Sequence, residues 1–205
     1  NNCTTVSFSV TKQVQPDLII SVAPVPTTSS PYIEGQPLQF RGTIQNNGTG
    51  ATQSGVTFYN RFQLDLSNDG SINQTISEPT LSGLARGASS AVTSASWTAV
   101  RGTHRIVLCA DQSDTVANNN KINNEANETN NCNVSTNGVF IVQPPPPTLN
   151  FSANPTTVLL GNSSTLSWSS TNANSCSASG DWTGSKSLSG SQSTGALTPP
   201  SKTYT

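Results

Sequence analysis

The sequence predicts an all-β protein, with antiparallel β-sandwiches arranged in tandem. Three observations carry this. Apolar and polar residues alternate in short bursts, the period of half-buried strands. Turn signals separate the bursts at regular spacing. Four consecutive prolines, Pro144 to Pro147, divide the chain into two such stretches.

The elements follow in order. Val6-Ser-Phe8-Ser-Val10 is the first alternating run, and Pro16 and Leu18-Ile-Ile20 come after it. Leu38-Gln-Phe40-Arg-Gly42-Thr-Ile44-Gln alternates for eight residues. Val56, Phe58, Phe62, Leu64 and Leu66 share one parity, while Thr57, Arg61, Gln63 and Asp65 take the other. Ala95 and Trp97 end another run. Ile106, Leu108 and Ala110 then share a face, with Arg105, Val107 and Cys109 opposite. Asn46-Asn47-Gly48, Asn68-Asp69-Gly70, Ala85-Arg86-Gly87 and Arg101-Gly102 supply the turns. Such punctuation between short strands indicates a sandwich. Polyproline is stiff and extended and cannot donate to a sheet ladder, so Pro144 to Pro147 reads as an interdomain linker. Beyond it, Leu166-Ser-Trp168 is the clearest strand.

Composition narrows the function. Ser, Thr, Asn and Gln make up 91 of the 205 residues, and charged residues only 9%. Nine basic side chains against ten acidic ones, without a basic cluster, leave no electrostatic footprint for nucleic acid. No apolar run is long enough for membrane insertion as a helix. His104 is the only histidine, so histidine-dependent catalysis would have to use it. There is no methionine and no signal-peptide pattern. The sequence therefore reads as a processed product or as a section of something longer.

An internal repeat sets the boundaries. Asn1-Asn2-Cys3 recurs as Asn130-Asn131-Cys132, and the intervals to the following proline, Pro16 or Pro144, are 13 and 12 residues. Each interval holds a β-like run, Val6 to Val10 or Val139-Phe-Ile-Val142. Residues 1–14 are therefore expected to be the last strand of a preceding repeat, or a donor strand. Residues 15–143 form the first sandwich, 144–147 the linker and 148–205 the second sandwich.

Residues 16–143 resemble the CARDB module, the cell-adhesion-related domain found in bacteria. Pro16-Asp-Leu-Ile-Ile20, Glu34-Gly-Gln, Ile44-Gln-Asn-Asn-Gly48, Leu84-Ala-Arg-Gly-Ala-Ser89, Gly102-Thr-His-Arg-Ile-Val-Leu-Cys-Ala-Asp111 and Asn127-Glu-Thr-Asn-Asn131 carry the likeness. His104 stands where that family usually has an aromatic. Residues 148–205 resemble a bacterial Ig-like repeat of large surface proteins. Asn154-Pro-Thr-Thr157, Gly161 to Cys176 and Gly190-Ser-Gln-Ser-Thr-Gly195 carry this match. It implies a domain truncated before its final strand. Together the resemblances imply tandem Ig-like β-sandwiches.

Four cysteines in a polar β protein point to an oxidising compartment, and no spacing suits a zinc site. Cys109 ends one predicted strand and Cys132 begins the next, so a Cys109–Cys132 disulfide would clip the Asn-rich loop between them. By parity it should lie on the outer face or rim. Cys3 is the repeat-equivalent of Cys132. Cys3 and Cys176 are expected to be unpaired or bonded off-chain, Cys176 to a downstream strand.

Three further places invite a functional reading. Asp65, Ser67 and Asp69, with Gly70, match the oxygen-rich start of a calcium loop. The twelfth position is Ile76, however, and Glu78 is two residues late, so a hairpin turn competes with calcium. The loop from Asp111 to Asn131 holds Asp111, Asp114, Glu125 and Glu128, and reads as a long polar loop, with calcium binding or a ligand-binding edge as the functional alternatives. Trp182, in a Ser/Gly-rich stretch, is the tryptophan placed to stack on a sugar ring, whereas Trp97 and Trp168 sit at core parity. Seven Asn-x-Ser/Thr sequons are close to the number that chance gives in so polar a chain.

The expected function is structural rather than enzymatic. The chain reads as a segment of a long extracellular, secreted or surface-anchored bacterial protein or filament, acting as spacer or fibre and in cell adhesion. Its expected partners are neighbouring copies or domains of the same protein, and no cofactor is required. The competing expectation is a carbohydrate- or calcium-dependent binding module of a secreted enzyme.

Overall fold

The computed structural model describes residues 5–9, 11, 13–112, 125–132 and 138–205. They are all-β, without an α-helix, and fall into two compact units, Asn1–Gln143 and Pro144–Thr205. No helix among the described residues is long and apolar enough to cross a membrane.

Unit 1 contains β1 (Leu18–Pro26), β2 (Tyr32–Ile33), β3 (Pro37–Leu38), β4 (Phe40–Asn46), β5 (Thr57–Tyr59) and β6 (Arg61–Asp65). They are followed by β7 (Gln74–Ser77), β8 (Thr80–Ser82), β9 (Ser89–Thr93), β10 (Trp97–Thr98), β11 (Gly102–Cys109) and β12 (Val139–Gln143). One sheet runs β1-β4-β9 and the other β2-β12-β11-β6-β7. The ribbons β10-β3 and β5-β8 complete the unit. Neighbours in the larger sheet are antiparallel except β12 and β2, which align Val142 with Tyr32 in parallel.

Alternation places the core. On β4, Phe40, Ile44 and Asn46 point inward, and on β11 Ile106 and Leu108 do so. They meet Leu18, Phe58, Phe62 and Leu64 in one apolar cluster between the sheets. Non-directional burial of these faces drives the packing. Gly42 sits in this layer for a steric reason. A Cβ there would lie 2.7 Å from Leu108 Cδ2 and 3.2 Å from the Val22 carbonyl.

Polar groups in the core bond to backbone. Asn46 is fully buried. Its amide donates to the Gly50 and Leu84 carbonyls, and its Oδ1 accepts from the Asp17 and Gly48 amides. His104 is only 2% exposed, more deeply buried than the half-buried packing residue its parity suggests. It packs against Trp97 and Phe140, with ring centroids 5.4 and 5.5 Å away. Its Nδ1 and Nε2 lie 2.8 and 2.6 Å from the carbonyl oxygens of Leu66 and Val100.

Among residues 5–14, the described ones are irregular, belong to no sheet and are largely exposed. The alternating run Val6 to Ser9 thus has strand chemistry without a strand partner. An isolated strand is not stable in water, because solvent satisfies its amides equally well in other conformations and it buries no apolar face.

Unit 2 contains β13 (Thr148–Asn154), β14 (Thr165–Thr171), β15 (Cys176–Ala178), β16 (Gly184–Lys186) and β17 (Ser189–Ser193). β13, β14 and β17 form an antiparallel sheet, and β15 and β16 pair separately. Tyr204 bridges to Gly180 beside that second pair. Leu166 and Ala178 are the buried apolar residues, so aromatic contacts carry most of the packing.

Candidate functional site

The described residues place the chemistry-bearing side chains at three points, two in unit 1 and one in unit 2. The first is the base of the long polar loop. Cys109, the last residue of β11, is bonded to Cys132 with a Cα–Cα distance of 4.0 Å. The two residues also form an isolated antiparallel bridge. Cys109 points away from the apolar cluster, as its parity requires, yet is only 3% exposed, so the bridge is not a surface rim. Close by, Glu125 Oε1 accepts the Leu18 amide at 2.7 Å, and its Oε2 accepts the Asn131 side-chain amide at 2.7 Å. Asn130 donates to Asp17 Oδ1 at 2.9 Å. The end of the loop is thereby fastened to the start of β1.

Burial raises the Glu125 carboxyl to about 7, against the lowering effect of its bonds to Asn131 and Leu18. The charges of Glu128 and Asp111 add to the rise. Sequence reading placed Glu125 in a polar loop and missed its burial. A partner 107 residues away decides that burial, and local pattern carries no such signal.

The second point is the turn joining β6 to β7. Asp65 Oδ1 accepts the amides of Ser67 and Asp69 at 3.3 and 3.2 Å, and Oδ2 accepts that of Gly70 at 2.8 Å. Arg105 Nη2 closes on the same Oδ2 at 3.0 Å. Asp69 Oδ1 accepts the Ser71 amide. Burial alone would raise the Asp65 carboxyl. The amides of Gly70 and Asp69, the Arg105 charge and the Ser67 amide outweigh it and hold the group below the usual carboxylate range. The residues considered for calcium thus form a turn. N–H dipoles and a guanidinium already face the Asp65 oxygens, and both oppose a cation. Glu78 pairs with Arg61 at 3.1 Å. Among the described residues, no group of three or more His, Cys, Asp or Glu is arranged for a metal ion.

The third point is the aromatic groove of unit 2. Trp182 stacks on Phe151 at 5.8 Å and meets the edges of Trp168 and Tyr204 at 5.4 and 6.3 Å. Lys186 Nζ lies 4.4 Å from its ring centroid, and its Nε1 donates to the Thr205 carbonyl at 3.0 Å. Trp182 is thus a packing centre of unit 2, and it also lines the groove beside it. Beside it opens a groove of about 280 Å³ lined by Pro147, Leu149, Phe151, Trp168 and Cys176. Cys176 carries a free thiol, within 3.4 Å of Ser170 Oγ. Cys3 lies outside the described residues, as do Asp114 and much of the loop around it.

The arrangement defines a class before it defines a family. It is an Ig-like β-sandwich module whose buried polar side chains at these points bond to its own backbone. The CARDB family model matches residues 15–135. The chain belongs to the CARDB family, a cell-adhesion-related domain family consistent with a structural or adhesion module. It is similar to a crystal structure of the CARDB domain of a Pyrococcus furiosus protein in complex with di-metal ions. Identity is 21%, coverage 65% of this chain and 97% of that one, and the TM-score 0.39. A solution NMR structure of that domain gives 21% identity, 64% and 97% coverage, and a TM-score of 0.36. No curated protein matches the chain.

Proposed function

We propose that the chain is a structural segment of a long extracellular bacterial surface protein or filament built from tandem Ig-like domains. It serves there as spacer or fibre and in cell adhesion, with neighbouring copies or domains of the same protein as its partners. In this reading residues 148–205 are an Ig-like surface repeat, and the chain has no catalytic role. One observation carries the reading. The side chains with chemical potential in unit 1, namely Asp65, Glu125, Asn46 and His104, face backbone amides or carbonyls of the module itself. Such bonding gives rigidity and engages these four side chains within the module. The near-neutral composition adds support, because weak like-charge repulsion permits close packing of modules. Immunogold labelling of intact, unpermeabilised cells tests the proposal. Label along the surface or on filaments is expected, and label confined to permeabilised cells would overturn it.

A further inference from the structure

We infer that His104 is held in the folded chain as an imidazolium, which donates from both ring nitrogens and ties two turns of unit 1 together as a proton-operated clamp. The inference stands apart from the surface role proposed above, and its test reads neither localisation nor assembly.

Hydrogen-bond geometry fixes the proton count. His104 Nδ1 lies 2.8 Å from the Leu66 carbonyl oxygen, and Nε2 lies 2.6 Å from that of Val100. A carbonyl oxygen only accepts, and a neutral imidazole has one N–H and one lone pair. Either neutral tautomer would therefore press a lone pair against a carbonyl oxygen, in a site only 2% exposed. The imidazolium satisfies both. Burial opposes its charge. Two charge-assisted bonds offset that cost. The Trp97 and Phe140 rings, centred 5.4 and 5.5 Å away, lie within reach of cation–π attraction. Trp97 turns its own N–H to Gln74 Oε1 at 3.2 Å, so it does not compete for either carbonyl.

The two carbonyls belong to different turns. Leu66 follows the last pair of the β6–β11 ladder, Asp65 with Arg105, and opens the turn to β7. Val100 lies in the connection from β10 to β11. A Cβ on Gly102 would stand 3.1 Å from His104 Cε1, so the ring is seated against that connection. The strands β10 and β12, which supply Trp97 and Phe140, carry no charged side chain. On β4, whose Phe40 backs both rings, Arg41 is exposed. Arg101 and Asp69 are exposed on the two turns. Arg105 and Asp65 pair with each other, and strand alternation sends Arg105 to the opposite face from His104. Carbonyl dipoles and aromatic rings therefore meet the charge. When the proton leaves, one of the two bonds is lost and a lone pair faces the carbonyl it held. That turn is released while the other stays tied.

NMR of the full chain, labelled with nitrogen-15, tests this. His104 is the only histidine, so its ring signals identify themselves. At neutral pH both ring nitrogens are expected to carry a proton, each with a one-bond coupling to it. One protonated and one bare nitrogen would overturn the inference. The pH is then raised until the ring loses a proton. The amide signals of Ser67 to Gly70, or those of Arg101 to Thr103, are expected to shift with the same midpoint as the ring. Glu125 titrates at about 7, and Glu125→Gln removes its contribution from the trace. His104→Phe keeps an aromatic ring beside Trp97 and Phe140 and should abolish the step in both turns. If that variant fails to fold, the ring and turn signals of the unmodified chain decide alone. Turns that stay still while the ring titrates, or that shift equally in His104→Phe, would overturn the clamp. A ring doubly protonated until the chain unfolds would make the tie permanent and overturn its switching.

Discussion

The Asp65 carboxylate meets the Arg105 guanidinium at 3.0 Å, and the same carboxylate organises the turn from Ser67 to Gly70. Asp65→Ala would leave three amides and a partly buried cation without their acceptor. The expected loss is about 3 kcal/mol, measured by denaturant unfolding. The Asp65 carboxyl is held below its ordinary value, so its contribution is present above about pH 4 and disappears as pH falls through the folded value. Asp65→Asn should flatten this acid limb. Calcium should leave the melting temperature of the unmodified protein unchanged. A clear rise on adding calcium would restore the cation reading.

Glu125 works in the opposite sense. Its folded carboxyl stands at about 7, above the ordinary 4.5 of the unfolded chain. Between those values the folded state binds more protons than the unfolded one, so stability falls as pH rises from about 4.5 to 7. Melting temperatures recorded from pH 4.5 to 8 should show this decline, and Glu125→Gln should remove most of it. Glu125→Ala should cost roughly 1–3 kcal/mol near pH 4.5, because the Leu18 amide loses its buried partner, and less as pH rises toward 7.

The sequence made the sheets legible and the polar interior illegible. Ile106, Leu108 and Ala110 share one face by period alone, and all three lie in the core. Phe58, Phe62 and Leu64 do likewise. Asn46 read as a turn residue but is fully buried. Its partners include Asp17 and Leu84, 29 and 38 residues away, and no local window contains them. Trp182 looked exposed because Ser and Gly surround it. Long-range contacts to Phe151, Trp168 and Tyr204 bury half of it instead. The two-residue strands β2, β3 and β10 are too short for alternation to register.

The Cys109–Cys132 bridge closes a separation of 23 residues. In the chain-entropy model, opening it destabilises unit 1 by about 3 kcal/mol, on the order of 10 °C in melting temperature. Thermal melts with and without reductant, and of Cys109→Ser with Cys132→Ser, should show this loss. The decline should exceed any change from Cys176→Ser, whose thiol is free and only half-buried. Equal melting temperatures for reduced and oxidised protein would mean that the loop adds little to the unfolded ensemble.

Trp182 is central to the packing of unit 2, where few side chains are fully buried. Trp182→Ala removes the ring that Phe151, Trp168 and Tyr204 share and the face over which the Lys186 ammonium lies. Half-burial lowers the cost below that of a core tryptophan, to about 2–3 kcal/mol. Trp182→Phe keeps an aromatic face but loses the Nε1 bond to the Thr205 carbonyl, and should cost roughly 1 kcal/mol. A sugar-binding role predicts a different pattern. Oligosaccharides would then shift tryptophan fluorescence saturably in the unmodified chain, and Trp182→Phe would abolish that response with little change in stability. Flat titrations together with the stated stability losses assign Trp182 to the fold.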